Sequence, residues 1–218
     1  VNDFFTRLRE ARPWQLAGWL CIGLGVIGLV GATVNVERVK KPPVQNRVLT
    51  SSAPKPSAKQ VATYTVPPSD PRFIAIPAIG LGNTPVLAFG LAADGTIETP
   101  DSVYETGWYN ASSKPGQAGA MFIYGHIASW TQYSVFANLS KLKPGDEVTV
   151  TRGDNAVFHY RVTGSQTYPY NAVDMGRVLA VVQPGAPGLN LMTCAGQIIT
   201  VGGAKEYSQR LVVFTKQI

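Results

Sequence analysis

From Arg72 to the C-terminus, turn residues break the chain into short apolar segments, and this spacing constrains the fold more than any other feature. Phe73-Ile74-Ala75-Ile76 is followed by Val86-Leu87-Ala88-Phe89, with Asn83 and Pro85 between them. Ala93-Asp94-Gly95-Thr96 and Lys143-Pro144-Gly145-Asp146 read as tight turns, because Gly and Pro supply the dihedrals that turns need. Glu147-Val148-Thr149-Val150-Thr151 and Val157-Phe158-His159-Tyr160-Arg161-Val162 flank a third turn, Gly153-Asp154-Asn155. Both alternate at the period of half-buried strands. Many short strands divided by turns predict an all-β barrel or sandwich. One short helix is expected over Tyr133–Leu142, where Val135, Phe136, Leu139 and Leu142 fall at helical spacing. A domain of about 150 residues buries about two-thirds of its unfolded surface, enough for one core.

The first third of the chain is different. Trp14 to Val34 is an apolar run with Gln15 as its one strongly polar side chain. At about 1.5 Å per residue it is long enough to cross a hydrocarbon core of about 30 Å. Trp14 and Trp19 stand near its entry, where amphipathic rings favour the interface. A cleavable signal would have an apolar region of about 7–15 residues, so an uncleaved anchor over 14–34 is expected. Residues 35–71, rich in Pro, Ser, Ala, Thr and Lys, read as a disordered, semi-stiff spacer. The resulting division is a cytoplasmic N-terminus (1–13), a transmembrane helix (14–34), a linker (35–71) and a folded domain (72–218).

Residues 1–69 hold nine Lys/Arg against three Asp/Glu, so the net charge of +6 sits entirely before the folded domain. A nucleic-acid-binding module should carry its basic footprint on the fold itself, which argues against that class. Basic residues flanking an apolar run suit an anionic membrane surface instead. Cys21 lies in the apolar run and Cys194 in the distant domain, so they form no disulfide framework and Cys194 is a lone thiol.

Cys194 closes the apolar run Leu189-Asn190-Leu191-Met192-Thr193. His126 closes Met121-Phe122-Ile123-Tyr124-Gly125, and Arg210 opens Leu211-Val212-Val213-Phe214. A thiol, an imidazole and a guanidinium at strand ends can share one rim of a sheet, giving a nucleophile, a proton carrier and a cationic clamp. Long connections in compact domains are often functional, and residues 195–209 form one here. His159, inside an alternating strand, reads as a solvent-facing or satisfied imidazole. Asp94, Glu98, Asp101 and Glu105 bracket a turn without metal-loop spacing and read as a solvated surface. Trp108 reads as core or rim packing.

Taken together, Ile76-Pro77-Ala78-Ile79-Gly80, Gly107-Trp108-Tyr109, Gly125-His126, Leu142-Lys143-Pro144-Gly145-Asp146-Glu147-Val148, Leu191-Met192-Thr193-Cys194 and Arg210 resemble a sortase, most closely the class F sortases. The resemblance covers residues 72–218 and implies an eight-stranded β-barrel with one or two short helices. It implies cysteine transpeptidation without a metal or cofactor. Cys194 would attack the Thr carbonyl of a Leu-Pro-x-Thr-Gly-like sorting signal and His126 would protonate the departing amine. Arg210 would bind substrate or steady the oxyanion, and Thr193 would contact substrate. An amine from a cell-wall precursor or a pilin lysine would resolve the thioacyl enzyme. The enzyme would work at the outer face of the cell membrane. Two rivals remain. An L,D-transpeptidase also pairs His with Cys, but usually has Gly before the cysteine and Arg just after it. An anchored, non-catalytic wall-binding β-domain would instead keep Cys194 packed away.

Overall fold

The structure is a computed structural model, and it describes residues 55–128 and 134–218. Among them, eight strands close into a barrel: β1 (Pro71–Ile76), β2 (Leu81–Phe89), β3 (Thr106–Tyr109), β4 (Ala120–Tyr124), β5 (Glu147–Arg152), β6 (Val157–Pro169), β7 (Gly188–Val201) and β8 (Ala204–Gln217). Around the barrel the order is β1-β2-β3-β4-β7-β8-β6-β5. The strands read from sequence are all present. The turns expected at Gly95, Gly145 and Asn155 are there too, each with a positive φ.

Two neighbouring pairs, β2–β3 and β4–β7, are parallel. Parallel neighbours cannot be joined by a hairpin and need a crossover. Residues 90–105 make the first crossover, and the β5–β6 hairpin and residues 170–187 lie between β4 and β7 in sequence. Residues 90–105 and 170–187 matter because they pack on the outside of the barrel wall formed by β4, β7 and β8.

Alternation sorts that wall into two faces. Met121, Ile123, Leu189, Leu191, Leu211 and Val213 point into the barrel and join Ile74, Ile76, Val86, Trp108, Val148, Val150 and Tyr160 in the main core. Phe122, Tyr124, Val212 and Phe214 face outward and form a second cluster with Tyr168 and Val178. Every residue of β4 is buried because both of its faces are covered. Asn190, also outward, donates from Nδ2 to Val178 O (2.7 Å) and Ala180 O (2.9 Å), which stitches the 170–187 segment onto β7. This segment contains the short helix α2 (Met175–Val178), N-capped by Asp174.

Two expectations need correction. The helix expected over 133–142 is, in its described part, a set of turns ending in a single 3-10 turn, Leu139–Lys141. Asn138 (φ −105°, ψ 11°) and Leu142 (φ −64°, ψ 137°) leave helical backbone on either side of that turn, and Pro144 disfavours helix at Lys143 beyond it. Phe136, Leu139 and Leu142 still reach the main core, so the apolar pattern was right and the backbone was not. The spacer expected over 35–71 is instead structured from residue 55. Ser57 and Gln60 form a capping box that starts helix α1 (Ala58–Thr63). Tyr64 donates its hydroxyl to Val86 O (2.7 Å), and Arg72 Nε donates to Tyr64 O (2.6 Å). Local capping and one aromatic anchor achieve what apolar periodicity did not signal.

The remainder of the spacer and the apolar run Trp14–Val34 lie outside the described residues. Among the described residues, no helix is long and apolar enough to cross a membrane.

Gly107 of β3 lies against the ring of Tyr124, so close that a Cβ there would stand 2.5 Å from Cε2 and 2.6 Å from Cζ. Gly107→Ala must therefore displace a buried ring whose hydroxyl donates to Glu98 O. Overpacking of this kind costs about 1–3 kcal/mol, an expected loss that urea denaturation will measure.

Candidate active site

The β7–β8 ladder sets Cys194 directly opposite Arg210. By strand parity both belong to the outward face, in line with Met192 and Val212 and not with Leu191 and Leu211. The sequence reading put the thiol and the guanidinium at strand ends on a barrel rim. Instead both stand mid-strand on the outside of the wall. β7 runs on to Val201, and β8 begins at Ala204, well before Arg210. Residues 195–209, read as a long loop, are a continuation of the hairpin. A two-residue turn, Gly202-Gly203, joins the strands, and both glycines have positive φ (57° and 85°). This is the glycine-dependent geometry that matches strand twist in tight hairpins. The ribbon was read as loop although it carries Ile198-Ile199-Thr200-Val201; Ile198 and Val201 stay exposed, and the two strands pair with each other.

His126 arrives from the adjacent parallel strand. The β4–β7 register ends at Tyr124 opposite Met192, so His126 and Cys194 each stand two residues beyond the same pair. The ladder is extended by Gly125 N donating to Met192 O (3.1 Å). Thr193 Oγ1 then donates to Gly125 O (2.8 Å). Gly125 is thus held on both its backbone groups by β7, and this fixes where the chain delivers the imidazole. Thr193, expected to contact substrate, is 3% exposed and belongs to the inward face. Its role is to tie the His126 segment to the Cys194 strand.

The imidazole Nε2 lies 2.8 Å from Pro100 O, on the 90–105 crossover. A carbonyl can only accept, so Nε2 carries the proton, and no hydrogen bond to Nδ1 is found among the described residues. Burial pushes the His126 pKa down, opposed by the Pro100 hydrogen bond and the nearby Asp101 charge. No sequence pattern pointed to Pro100, because it acts through its backbone.

Arg210 donates from Nη1 to Tyr207 O (3.1 Å) and Gln209 O (3.0 Å), and its Nη2 pairs with Glu206 Oε1 at 3.1 Å. A guanidinium has five N–H donors. Among the described residues, the Nε–H and one Nη2–H therefore remain for another acceptor. Cys194 is partly exposed and free. Burial pushes its thiol up from the ordinary value; the Arg210 charge opposes that and the Glu206 charge reinforces it. Burial is the largest of the three effects and outweighs the neighbouring guanidinium.

The other candidates separate cleanly. His159 is exposed on the β5–β6 side, 2.6 Å from Glu147 Oε1. Asp94 closes its turn by accepting from Thr96 N and Oγ1. Trp108 is a core residue, 2% exposed, whose Nε1 donates to Ser113 O.

With this geometry in place, residues 74–218 match the family model described as Sortase domain. The chain belongs to the sortase family. Sortases are cysteine transpeptidases, so this is an enzyme, and its eight-stranded barrel is the sortase fold. Among solved structures, a sortase C of Streptococcus pneumoniae is 26% identical, with a TM-score of 0.53, covering 77% of this chain and 76% of its own. SrtA sortase from Actinomyces oris is 24% identical, with a TM-score of 0.51, covering 68% and 79%. Sortase A from Corynebacterium diphtheriae is 20% identical, with a TM-score of 0.52, covering 68% and 60%. No curated protein matches the chain.

Thr193→Val removes one hydroxyl at nearly constant shape and strips Gly125 O of its partner. The expected cost is about 1–3 kcal/mol in a denaturation curve, while KM for a peptide substrate stays within about twofold. A large rise in KM at unchanged stability would restore the substrate-contact role.

Proposed function

We propose that this sortase uses Cys194 as nucleophile, His126 as proton carrier and Arg210 as oxyanion or substrate clamp to cleave a C-terminal Leu-Pro-x-Thr-Gly-like signal and pass the acyl group to an amine. The observation that carries this reading is the cross-strand pair of a partly exposed thiol and a guanidinium, with a tautomer-fixed imidazole at the end of the neighbouring strand.

The thiolate of Cys194 attacks the Thr carbonyl carbon, and the developing oxyanion is stabilised by the spare Arg210 donors. The Thr–Gly C–N bond breaks as His126 Nδ1–H gives its proton to the departing amine, leaving a thioester on Cys194 and a neutral imidazole. The incoming amine attacks that thioester, His126 takes the amine's proton, and the thiolate leaves. The reacting state thus needs a thiolate beside an imidazolium. Burial disfavours both charges, so that state is a minor species at every pH and the resting pair is neutral.

The acceptor amine comes from a cell-wall precursor or a pilin lysine. The second choice draws on the similarity to the S. pneumoniae sortase C, whose structure bears on pilin substrate specificity. The class F assignment rests on the segments quoted from sequence. A membrane anchor at Trp14–Val34, with the catalytic domain outside the cell, rests on the apolar run and its basic flanks.

Cys194→Ala should abolish peptide cleavage while stability changes by less than about 1 kcal/mol, because the thiol is partly exposed and outside the barrel core. Adding oligoglycine should divert product from free acid to ligated peptide; release of acid indifferent to amine would contradict transfer. The pH profile of kcat/KM follows from the directions of the two shifts. Its acid limb should fall below the ordinary imidazole value of 6.5 and its alkaline limb above the ordinary thiol value of 9.0. A plateau narrower than that interval would contradict the neutral resting pair.

A further inference from the structure

Beyond the Ala195–Gln209 pair the hairpin continues as a ribbon. There β8's ladder partner is β7 alone, β6 having ended at Pro169 opposite Gln209. On its β8 strand, Glu206, Ser208 and Arg210 share the face that carries Cys194. Four residues of strand span about 13 Å at about 3.3 Å each. Glu206 and Arg210 meet only because both side chains lean along the strand over the small Ser208. The contact is anchored, because Glu206 Oε1 also accepts from Tyr207 N at 2.6 Å. One oxygen therefore receives a backbone amide and the guanidinium together, while Arg210 Nη1 is held by the Tyr207 and Gln209 carbonyls.

We propose that Glu206 is a positioning residue of this active site: its carboxylate fixes the Arg210 guanidinium beside Cys194 and sets a negative charge on the strand face that carries the thiol. The role rests on the reading of Cys194 as nucleophile. A thiolate at Cys194 would meet Arg210, which attracts it, and Glu206, which repels it, and the guanidinium is already partly neutralised by the carboxylate. The other titratable groups around the site are Tyr207 on β8, Tyr168 on β6 opposite Arg210, His126 beyond β4, and Asp101 on the crossover behind the imidazole. Among these, Glu206 is the carboxylate whose charge acts on the thiol itself.

The test is iodoacetamide alkylation of the full chain against pH, read on the Cys194 peptide by mass spectrometry, alongside peptide turnover. Glu206→Gln keeps an acceptor for Arg210 and Tyr207 but removes the charge. Its alkylation midpoint should move to lower pH by about half to one unit, raising the rate at pH 7 about three- to tenfold. Glu206→Asp, which keeps the charge, should stay within about twofold of wild type. Glu206→Ala should show the same acid shift and also lose about tenfold in kcat, with KM little changed, because the guanidinium is no longer held. Midpoints unmoved in both Gln and Ala variants would overturn the proposal, leaving Glu206 as a ribbon-stabilising residue. If wild type cleaves no sorting-signal peptide while the alkylation shift is seen, the functional reading falls and the electrostatic assignment stands.

Discussion

The site depends on the register of β7 against β8. Side chains in a strand alternate, so a slip of one residue would turn Cys194 into the barrel and set Thr193 outside. That register is fixed at both ends. Leu189, Leu191, Leu211 and Val213 must enter the main core, and the Gly202-Gly203 turn closes the far end of the hairpin. The buried Thr215 locks it further, its Oγ1 donating to Leu189 O at 2.6 Å. The core thereby decides which face the thiol occupies, although the thiol contributes little to the core.

The second determinant is the balance between burial and charge. A thiol beside an arginine is expected to ionise easily, and in water it would. Here the surrounding protein removes solvent from both the sulfur and the imidazole, and a carboxylate shares the guanidinium. Burial therefore works against charge on both groups, while the imidazole and the guanidinium are held by backbone hydrogen bonds. Pro100 O fixes the imidazole tautomer, and backbone carbonyls fix the arginine.

Much of this was legible in the sequence, for identifiable reasons. Alternation in 147–151 and 157–162 and the turns at Gly95, Gly145 and Asn155 gave the strands, because these signals are local. Cys194, His126 and Arg210 stood out as polar groups at the ends of apolar runs. What was missed lay where pairing, not side-chain pattern, makes the structure. Residues 196–208 form a ribbon whose Ile198-Ile199-Thr200-Val201 run was read as part of a loop, so Cys194 and Arg210 looked terminal when they are mid-strand. The resemblance implied a substrate contact for Thr193, but alternation turns it inward. Helix α1 rests on a capping box and carries no buried residue, so periodicity could not reveal it. Pro100 acts through a carbonyl that every residue possesses.

The central claim is that the Cys194 sulfur carries the acyl group. The most direct measurement is intact-protein and peptide mass spectrometry of the enzyme incubated with a Leu-Pro-x-Thr-Gly peptide and no amine. The account predicts an adduct of the Leu-Pro-x-Thr acyl mass on the Cys194 peptide, discharged by hydroxylamine. A thiol that alkylates normally but never acquires that mass, while peptide is still cleaved, would contradict it.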